Sequence, residues 1–207
     1  MKKIILAVIT VFTVGSMHAQ QAKFGVKGGL NITTLVGDTE GADIKSLVGF
    51  NIGGFAEIKI NEKFAVQPEL LYSTQGAKFQ NAGAYVDGTF YTGDVDFKLS
   101  YINIPVMFKY YANEKFSFEL GPQIGFLTSA KTKTKLDGFN KTVEQDAKDF
   151  FNSVDFGLIF GAGYDFTEHL FVDARYNLGL ANIAKTEDGD NSKIKNSVFS
   201  VNLGYRF

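Results

Sequence analysis

Hydrophobic and polar side chains alternate along most of this chain with a period of two residues. In Val198–Phe207, for example, Phe199 and Val201 fall on one face, and Ser200 and Asn202 fall on the other. Such alternation predicts β-strands. It recurs in eight segments, which are Ala22–Thr33, Leu47–Ile60, Phe64–Gln75, Leu99–Tyr110, Phe116–Leu127, Val154–Tyr164, Leu170–Ala181 and Val198–Phe207.

Short and long connections alternate between these predicted strands. The short ones are Asn61–Lys63, Tyr111–Lys115 and Asp165–His169, and the long polar ones are Thr34–Ser46, Gly76–Phe97, Thr128–Ser153 and Asn182–Ser197. Short turns at one end and long loops at the other are typical of outer-membrane β-barrels, whose strands cross the bilayer in about 9–11 residues. In the third long loop, Val143–Phe151 is a candidate short helix.

The two faces of the predicted strands differ in charge. One face is almost free of charged residues, whereas the other carries them together with many glycines, such as Gly25 and Gly161. The interior of an eight-stranded barrel is just wide enough for side chains, so glycine there makes room for long charged neighbours. Glycine on the exposed face of a soluble barrel would only weaken the strands. We therefore expect lipid at the apolar face, and a secreted lipocalin-like barrel is the alternative.

The predicted fold class is all-β: an eight-stranded antiparallel up-and-down transmembrane β-barrel with short periplasmic turns and long extracellular loops. Its lumen should be filled by side chains. Charges sealed in such an interior need partners of opposite sign. The expected interior polar network, with a structural role, consists of Lys27, Glu57, Lys59, Glu69, Lys109, Glu119, Asp155, Asp173, Arg175 and Arg206.

Composition narrows the possible functions. The 207 residues include 21 Phe, 9 Tyr and 22 Gly, spread along the whole chain, with a net charge of −1 and no Cys. The charge argues against a nucleic-acid partner. The lack of cysteine excludes disulfides, cysteine-ligated metals and thiol catalysis. We expect no catalytic residue, cofactor or metal site.

The first residues have the pattern of a secretory signal peptide. Lys2 and Lys3 precede the apolar stretch Ile4–Val14, and the small residue Ala19 marks the expected cleavage site. The apolar run is shorter than the roughly 20 residues that a membrane-spanning helix needs. The expected domains are a signal peptide at 1–19 and an outer-membrane β-barrel domain at 20–207, exported to the outer membrane of a Gram-negative cell envelope.

Two features resemble known outer-membrane proteins. Tyr205 and Phe207 end an amphipathic strand, which resembles the C-terminal signal that the barrel-assembly machinery reads. The chain also resembles the PorT-like outer-membrane β-barrel family. That resemblance implies the same fold and location and, through the founding member, a link to protein secretion and gliding machinery. It rests on the segments Leu99–Tyr110, Glu119–Pro122, Phe156–Gly163 and Asp173–Leu180.

Few residues suggest further chemistry. A lipid-modifying enzyme typically places a His near a Ser at the outer rim, whereas His169 lies in a short periplasmic turn. The run Glu187–Ser192 is similar to a calcium loop but lacks the glycine at the sixth position and the closing glutamate. Lys131, Lys133 and Lys135 alternate in the third long loop. We expect them to be solvated, with anionic lipopolysaccharide as the alternative partner.

All three prolines fall inside predicted strands: Pro68, Pro105 and Pro122 lie on the third, fourth and fifth. Proline cannot donate to a strand ladder, and a closed barrel has no free edge. If Tyr110 faces Phe116 across the turn, the prolines cluster on neighbouring strands. The favoured interpretation is a bulge or a strand end, and the alternative is a lateral seam through which an apolar molecule passes.

The function predicted from the sequence is that of a non-enzymatic integral outer-membrane protein, structural or accessory, whose extracellular loops make contacts. The expected partners are outer-membrane lipids and lipopolysaccharide, the barrel-assembly machinery during biogenesis, and a protein bound at the extracellular loops. Transport of small hydrophobic solutes, through the lumen or the proline seam, is the first alternative. A lipid-modifying enzyme is the second.

Overall fold

The computed structural model describes residues 22–38, 43–86, 89–136, 142–185 and 193–207. The expected signal peptide lies outside these residues. No helix in the described part of the chain is long and apolar enough to cross a membrane. The elements are β1 (Ala22–Gly37), β2 (Asp43–Lys59), β3 (Phe64–Val86), β4 (Thr89–Tyr111), β5 (Phe116–Leu136), β6 (Thr142–Asp146), a 3-10 turn (Lys148–Phe150), β7 (Val154–Asp165), β8 (Leu170–Gly179) and β9 (Ile194–Arg206).

Eight strands close into a ring of antiparallel pairs. The order around the ring is β1-β2-β3-β4-β5-β7-β8-β9, and β9 pairs back onto β1. This closing pair runs without a break from Gly25 opposite Arg206 to Gly37 opposite Ile194. The remaining strand, β6, lies outside the ring and pairs only with β5 among the described residues. The predicted eight-stranded up-and-down barrel is confirmed.

Side chains on the barrel are arranged inside out relative to a soluble protein. In β1 the exposed fraction is 50% for Val26 and 64% for Leu30, but 3% for Lys27 and 1% for Asn31. Every other strand of the ring repeats this apolar exterior. A continuous apolar band around a barrel with a polar interior is the arrangement that a bilayer requires.

Strands β3, β4 and β5 are much longer than a membrane crossing. They contain 23, 23 and 21 residues, against the 9–11 or so that span a bilayer. The prediction of long loops at Gly76–Phe97 and Thr128–Ser153 is therefore wrong for most of their length. The candidate helix Val143–Phe151 is also wrong, because this segment forms most of β6 and the 3-10 turn. These segments carry polar residues on one face of each strand, which is why their sequence resembles that of a loop.

We use the term extracellular sheet for the part that continues beyond the membrane barrel. It consists of residues 43–46 of β2, 76–86 of β3, 89–100 of β4, 129–136 of β5 and the whole of β6.

The three short turns share one hydrogen-bonding pattern. In each, a side-chain oxygen accepts the backbone N–H groups two and three residues further along, which are the turns that Asn and Thr favour. Asn61 and Asn113 each accept both bonds at 2.9 Å, and Thr167 accepts them at 3.2 and 2.9 Å. The side-chain cap therefore fixes the position of each turn in the sequence.

The predicted register across the second turn is wrong. Phe116 does not face Tyr110, because its N–H is held inside the turn by Asn113. The turn is thus displaced by one residue, and facing positions on β5 move by two. Pro105 accordingly faces Gln123.

The prolines do interrupt the ladder on neighbouring strands. Between β3 and β4 the pairing skips from Pro68 to Leu71, and between β4 and β5 it skips from Pro105 to Phe108. Pro122 lies in the second gap. Its β7 side remains paired. A third gap lies between β2 and β3 at Pro68, where the pairing skips from Glu69 to Val66. The interruption is thus confined to a short stretch of four neighbouring strands, each of which continues on both sides of it.

We expect the backbone amides that flank these gaps to exchange with solvent faster than those between β1 and β9, by about tenfold, because local opening there breaks fewer hydrogen bonds. The measurement is hydrogen–deuterium exchange on the refolded barrel in detergent micelles. Pro122→Val, which restores a donor, should slow exchange at the gap and leave the β1–β9 pair unchanged. Equal protection of both regions in the unaltered protein would show that the prolines create no weak point.

Candidate functional site: the lumen and the extracellular sheet

Arg175 lies at the centre of an ion-paired network in the periplasmic half of the lumen. Its Nε is 2.7 Å from Oε2 of Glu119 and 3.2 Å from Oδ1 of Asp173, and its Nη1 is 2.8 Å from Oε1 of Glu69. These side chains are 0–4% exposed. One guanidinium therefore holds together carboxylates from three different strands.

Two lysines extend the network across the barrel. Lys27 Nζ is 2.8 Å from Asp173 and 3.4 Å from Glu69. Lys109 Nζ is 3.2 Å from Glu57 and 3.3 Å from Oε1 of Glu119.

Arg206 completes the network at the periplasmic end. Its Nη2 is 3.2 Å from Glu57 and 2.9 Å from Asp165. Its guanidinium also lies 4.3 Å from the centre of the Phe171 ring, which packs edge-on against Phe55 at 5.4 Å. Four buried cations thus face the four buried carboxylates of Glu57, Glu69, Glu119 and Asp173, and Asp165 joins at the rim. Removing any one ion would leave an opposite charge buried and unpaired, which is the costly situation.

Glycines on the facing strands make room for these long side chains. A Cβ added at Gly163 would lie 3.0 Å from Oε1 of Glu119, and one at Gly161 would lie 2.9 Å from Cγ of Arg175. The pairing of small with long residues that the sequence suggested therefore occurs within the network.

Amide side chains fill the middle of the lumen. Asn51 donates to Asn31 and to Asn202, each at 2.8 Å, and Asn202 donates to Asp173 at 2.6 Å, which joins this layer to the ion pairs. A cavity of about 40 Å³ remains among them, bordered by Arg175. That volume holds only a few water molecules. The layer was missed in the sequence, where the inward Asn residues of several strands were its signal.

Apolar side chains close the extracellular mouth. The segments that follow β6 and β8 fold over the opening: Phe151 pairs with Ala184, and Asn152 N donates to Ile183 O at 2.8 Å. We call this cluster the apolar lid. Its buried members are Leu35, Ala77, Leu99, Tyr101, Leu127, Ala130, Ala147, Phe151 and Ile183. The inward-facing positions thus change from polar to apolar along the same strands, which the sequence interpretation missed.

Two predicted members of the interior network lie elsewhere. Lys59 is exposed at the end of β2, where its Nζ lies 5.2 Å from the Tyr111 ring, so its interior position was a wrong prediction. The strand end reaches the rim there, and the long side chain extends to solvent. Asp155 is buried beneath the apolar lid and accepts a hydrogen bond of 2.8 Å from Asn196, with no ion pair to any described residue.

The remaining candidates lie outside the lumen. His169 is in the third periplasmic turn, with Nδ1 2.9 Å from the backbone oxygen of Arg206. Tyr205 and Phe207 are outward and exposed at the end of β9. The calcium-like run Glu187–Ser192 lies outside the residues that the structure describes. In the described ranges no group of three His, Asp or Glu residues is arranged to hold a metal ion.

The alternating lysines lie on the outer face of the extracellular sheet. Glu144 of β6 accepts Lys131 Nζ at 2.7 Å and Lys133 Nζ at 3.0 Å. Hydrogen bonds from the two ammonium groups lower the pKa of the Glu144 carboxyl to about 2. This carboxylate therefore remains charged throughout the physiological range and neutralises part of the lysine row.

Comparison with known proteins identifies the family. A family model for the outer membrane protein beta-barrel domain matches residues 18–185. The chain belongs to this family. It is an outer-membrane β-barrel protein, and its orientation places the short turns in the periplasm and the extracellular sheet outside the cell. No curated protein matches the chain.

Solved structures of small outer-membrane barrels share the fold. Ail of Yersinia pestis, crystallised with the heparin analogue sucrose octasulfate, is 20% identical with a TM-score of 0.50. Neisserial surface protein A is 17% identical with a TM-score of 0.51. In both comparisons the match covers 90% of this chain and 99% of the other. At identities this low, the structural match shows a shared fold and nothing further.

Replacing Arg175 with Met should destabilise this outer-membrane barrel by about 3–5 kcal/mol, because two or more carboxylates lose their partner in a sealed interior. The measurement is reversible urea unfolding in lipid vesicles. The matched control is Lys185→Met, an exposed extracellular lysine, which should change stability by less than about 0.5 kcal/mol. An effect of Arg175→Met as small as that of the control would contradict the network's structural role.

Glu144 should titrate with a midpoint of about 2 in the folded barrel. Since its folded-state pKa is lowered, the pairing with the two lysines is present above the ordinary glutamate pKa and is lost only as the pH falls through about 2. Carboxyl chemical shifts followed by NMR in micelles report this midpoint. In Lys131→Gln the midpoint should rise, whereas in Lys185→Gln it should stay the same. A midpoint near 4.5, the ordinary value, would show that the ion pairs do not form in solution.

Proposed function

We propose that this outer-membrane protein works without catalysis, as a surface protein that binds a protein partner through the open edge of its extracellular sheet. The observation that carries the proposal is the one-sided pairing of β6. Ala147 N donates to Ala130 O at 2.9 Å, towards β5. Because the backbone N–H and C=O groups of successive residues in a strand point to opposite sides, those of Glu144 and Asp146 point away from β5. Among the described residues no strand pairs with that side.

An unpaired strand edge outside the cell is a suitable partner surface. A free edge is a template for an added strand, and extended peptides commonly bind in this way. The edge is short and bears the charges of Glu144 and Asp146, which is how proteins limit unspecific edge pairing.

The closed lumen supports a role on the outside of the barrel. Passage of a solute would require the apolar lid to open and the network around Arg175 to break. The space that remains between them is about 40 Å³. Transport of small hydrophobic solutes is the alternative that the interrupted ladder favours, but an apolar molecule entering beside Pro105 would meet the charged side chains of Glu69 and Glu119. We therefore favour surface contacts over transport.

The absence of catalysis is part of the proposal. Lipid-modifying barrels need a nucleophile and a base near the outer leaflet. His169 lies at the opposite, periplasmic end with its ring stacked on Tyr205 at 5.7 Å between centres. This position supports a structural function for the side chain.

The finer biological assignment rests on the resemblance to PorT-like barrels. It leads us to propose that the partner belongs to a protein-secretion machinery of the cell envelope. We also propose that residues 1–19 are removed as a signal peptide, and that the barrel-assembly machinery recognises Tyr205 and Phe207. Both aromatic side chains are exposed on the outer face of the last strand, where another protein can reach them.

The test is site-specific photo-crosslinking in intact cells. A photo-reactive amino acid in place of Asp146 at the open edge should capture a protein partner, identified by mass spectrometry. The same amino acid in place of Lys193, at the same end of the barrel but away from the edge, is the matched control.

Capture of one envelope protein from position 146 and not from position 193 is the expected result. Equal capture from both positions, or none from either, would contradict the edge as the contact site. If the captured protein has no connection with secretion, the PorT-like assignment is wrong while the contact function stands.

A further inference from the structure

A groove on the outer surface of the barrel crosses the boundary between membrane and extracellular space. Its volume is about 670 Å³. Its lower wall is apolar, with exposed fractions of 64% for Leu30, 71% for Val48 and 48% for Phe50. Its upper wall carries Lys98, Lys131, Lys133 and Glu144 of the extracellular sheet. The groove is therefore amphiphilic along the direction of the membrane normal.

Two irregular strand pairings at the same height border the groove. Between β2 and β3 the register shifts between Ser46 and Asn51, where Thr74 Oγ1 accepts Phe50 N at 2.8 Å and donates to Phe50 O at 3.2 Å. Between β4 and β5 the register shifts next to Ser100, which faces Thr74. Bulges bend a strand and re-aim its side chains. The sheet therefore changes direction at the level where the apolar band ends.

Two lysines of the upper wall face each other and repel. Lys98 lies directly opposite Lys131 in the β4–β5 pair, and like charges in facing positions destabilise a sheet. Glu144 binds Lys131 and Lys133, at 2.7 and 3.0 Å, but Lys98 is exposed and has no ion-pair partner among the described residues. Asp146 also faces Lys131 from β6, and Asp96 faces Lys133 from β4. Lys98 is therefore the lysine of the upper wall that the described residues leave without a counterion.

Hydroxyl groups line the level between the two walls. Ser100 faces Thr74 on one side and Ser129 on the other, and it accepts a hydrogen bond of 3.1 Å from Tyr72 Oη. From the extracellular side inward, the groove thus presents lysines, then hydroxyl groups, then aliphatic side chains. A phosphorylated lipid has its groups in the matching order: phosphate, then the sugar or ester region, then acyl chains.

We propose that this groove binds a phosphorylated glycolipid of the outer leaflet, with a phosphate between Lys98 and Lys131 and an acyl chain along Leu30 and Val48. The outer leaflet supplies the occupant because the lysines lie on the extracellular side. A phosphate there relieves the repulsion between the facing lysines and supplies Lys98 with a counterion. The site shares Glu144 with the β6 edge, but its lysines and its apolar wall belong to β1, β2, β4 and β5.

The experiment measures binding of bisphosphorylated lipid A to the refolded barrel by native mass spectrometry from detergent micelles. Removing two membrane-surface lysines should weaken binding by about 30-fold, so Lys98→Gln with Lys131→Gln is the test variant. Lys185→Gln with Lys193→Gln removes the same charge on another part of the extracellular side and should bind as tightly as the unaltered protein. Lys98→Arg should also retain binding.

The comparison ligands are dephosphorylated lipid A and phosphatidylglycerol, which we expect to bind at least tenfold more weakly. Circular dichroism of each variant checks that the barrel has formed, and Lys98→Arg remains a test if the double variant does not fold. Equal weakening by both double variants, or equally tight binding of dephosphorylated lipid A, would overturn the phosphate site. Equally tight binding of phosphatidylglycerol would overturn the glycolipid as its occupant. None of these results bears on crosslinking at position 146.

Discussion

Neutralisation of buried charge is the constraint on which the rest of this barrel depends. In a bilayer the apolar side chains face outward, so the charged ones are enclosed in the lumen. Enclosed charges are costly unless they are paired or hydrogen-bonded. Arg175, Lys27 and Lys109 each contact two or more carboxylates from different strands. The network therefore acts across the ring, in addition to the ladders that act between neighbours, and it connects the strands towards the end of the barrel where β1 begins and β9 ends.

The fold was largely predictable because the barrel requires a periodic pattern of side chains along each strand. Alternation of period two, charge on one face and glycine beside the charge all follow from an inverted eight-stranded barrel, and each can be counted in the sequence. Most of the interior network was found in the same way, since a Lys or Glu at an inward position such as Lys109 or Glu57 has no other place to go. Lys59 was misplaced because alternation does not reveal where a strand leaves the membrane.

The extracellular half was poorly predicted for a related reason. Beyond the bulge next to Ser100, the outward positions carry charge and the inward ones are apolar, as in an ordinary soluble sheet. On β5 one alternation continues through both regions, and the bulge next to Ser129 turns the odd-numbered positions from the lumen, as at Leu127, to the outer face, as at Lys131. On β4 the odd-numbered positions face inward throughout, from Asn103 to Leu99, and the alternation of polar and apolar residues itself changes phase. Asn113 had a similar effect at the other end, where a side-chain cap moved the turn and with it the register of β5. Such local hydrogen bonds fix the position of a turn and the register of a strand, which the hydrophobic pattern alone does not determine.

The same change of regime explains where this protein can act. Below the bulges, most charged side chains of the strands lie in the lumen, and the outward side chains are largely apolar, as a bilayer requires. Above them, the apolar lid takes over the interior, and the charged residues move to the outer face, where Lys98 and Lys131 stand opposite each other. Ion pairs seal the lumen below, and the apolar lid with Leu99 and Phe151 seals it above. The outer face and the edges of the extracellular sheet are therefore where we propose that this protein meets other molecules. The bulges mark the level at which the membrane barrel gives way to that sheet.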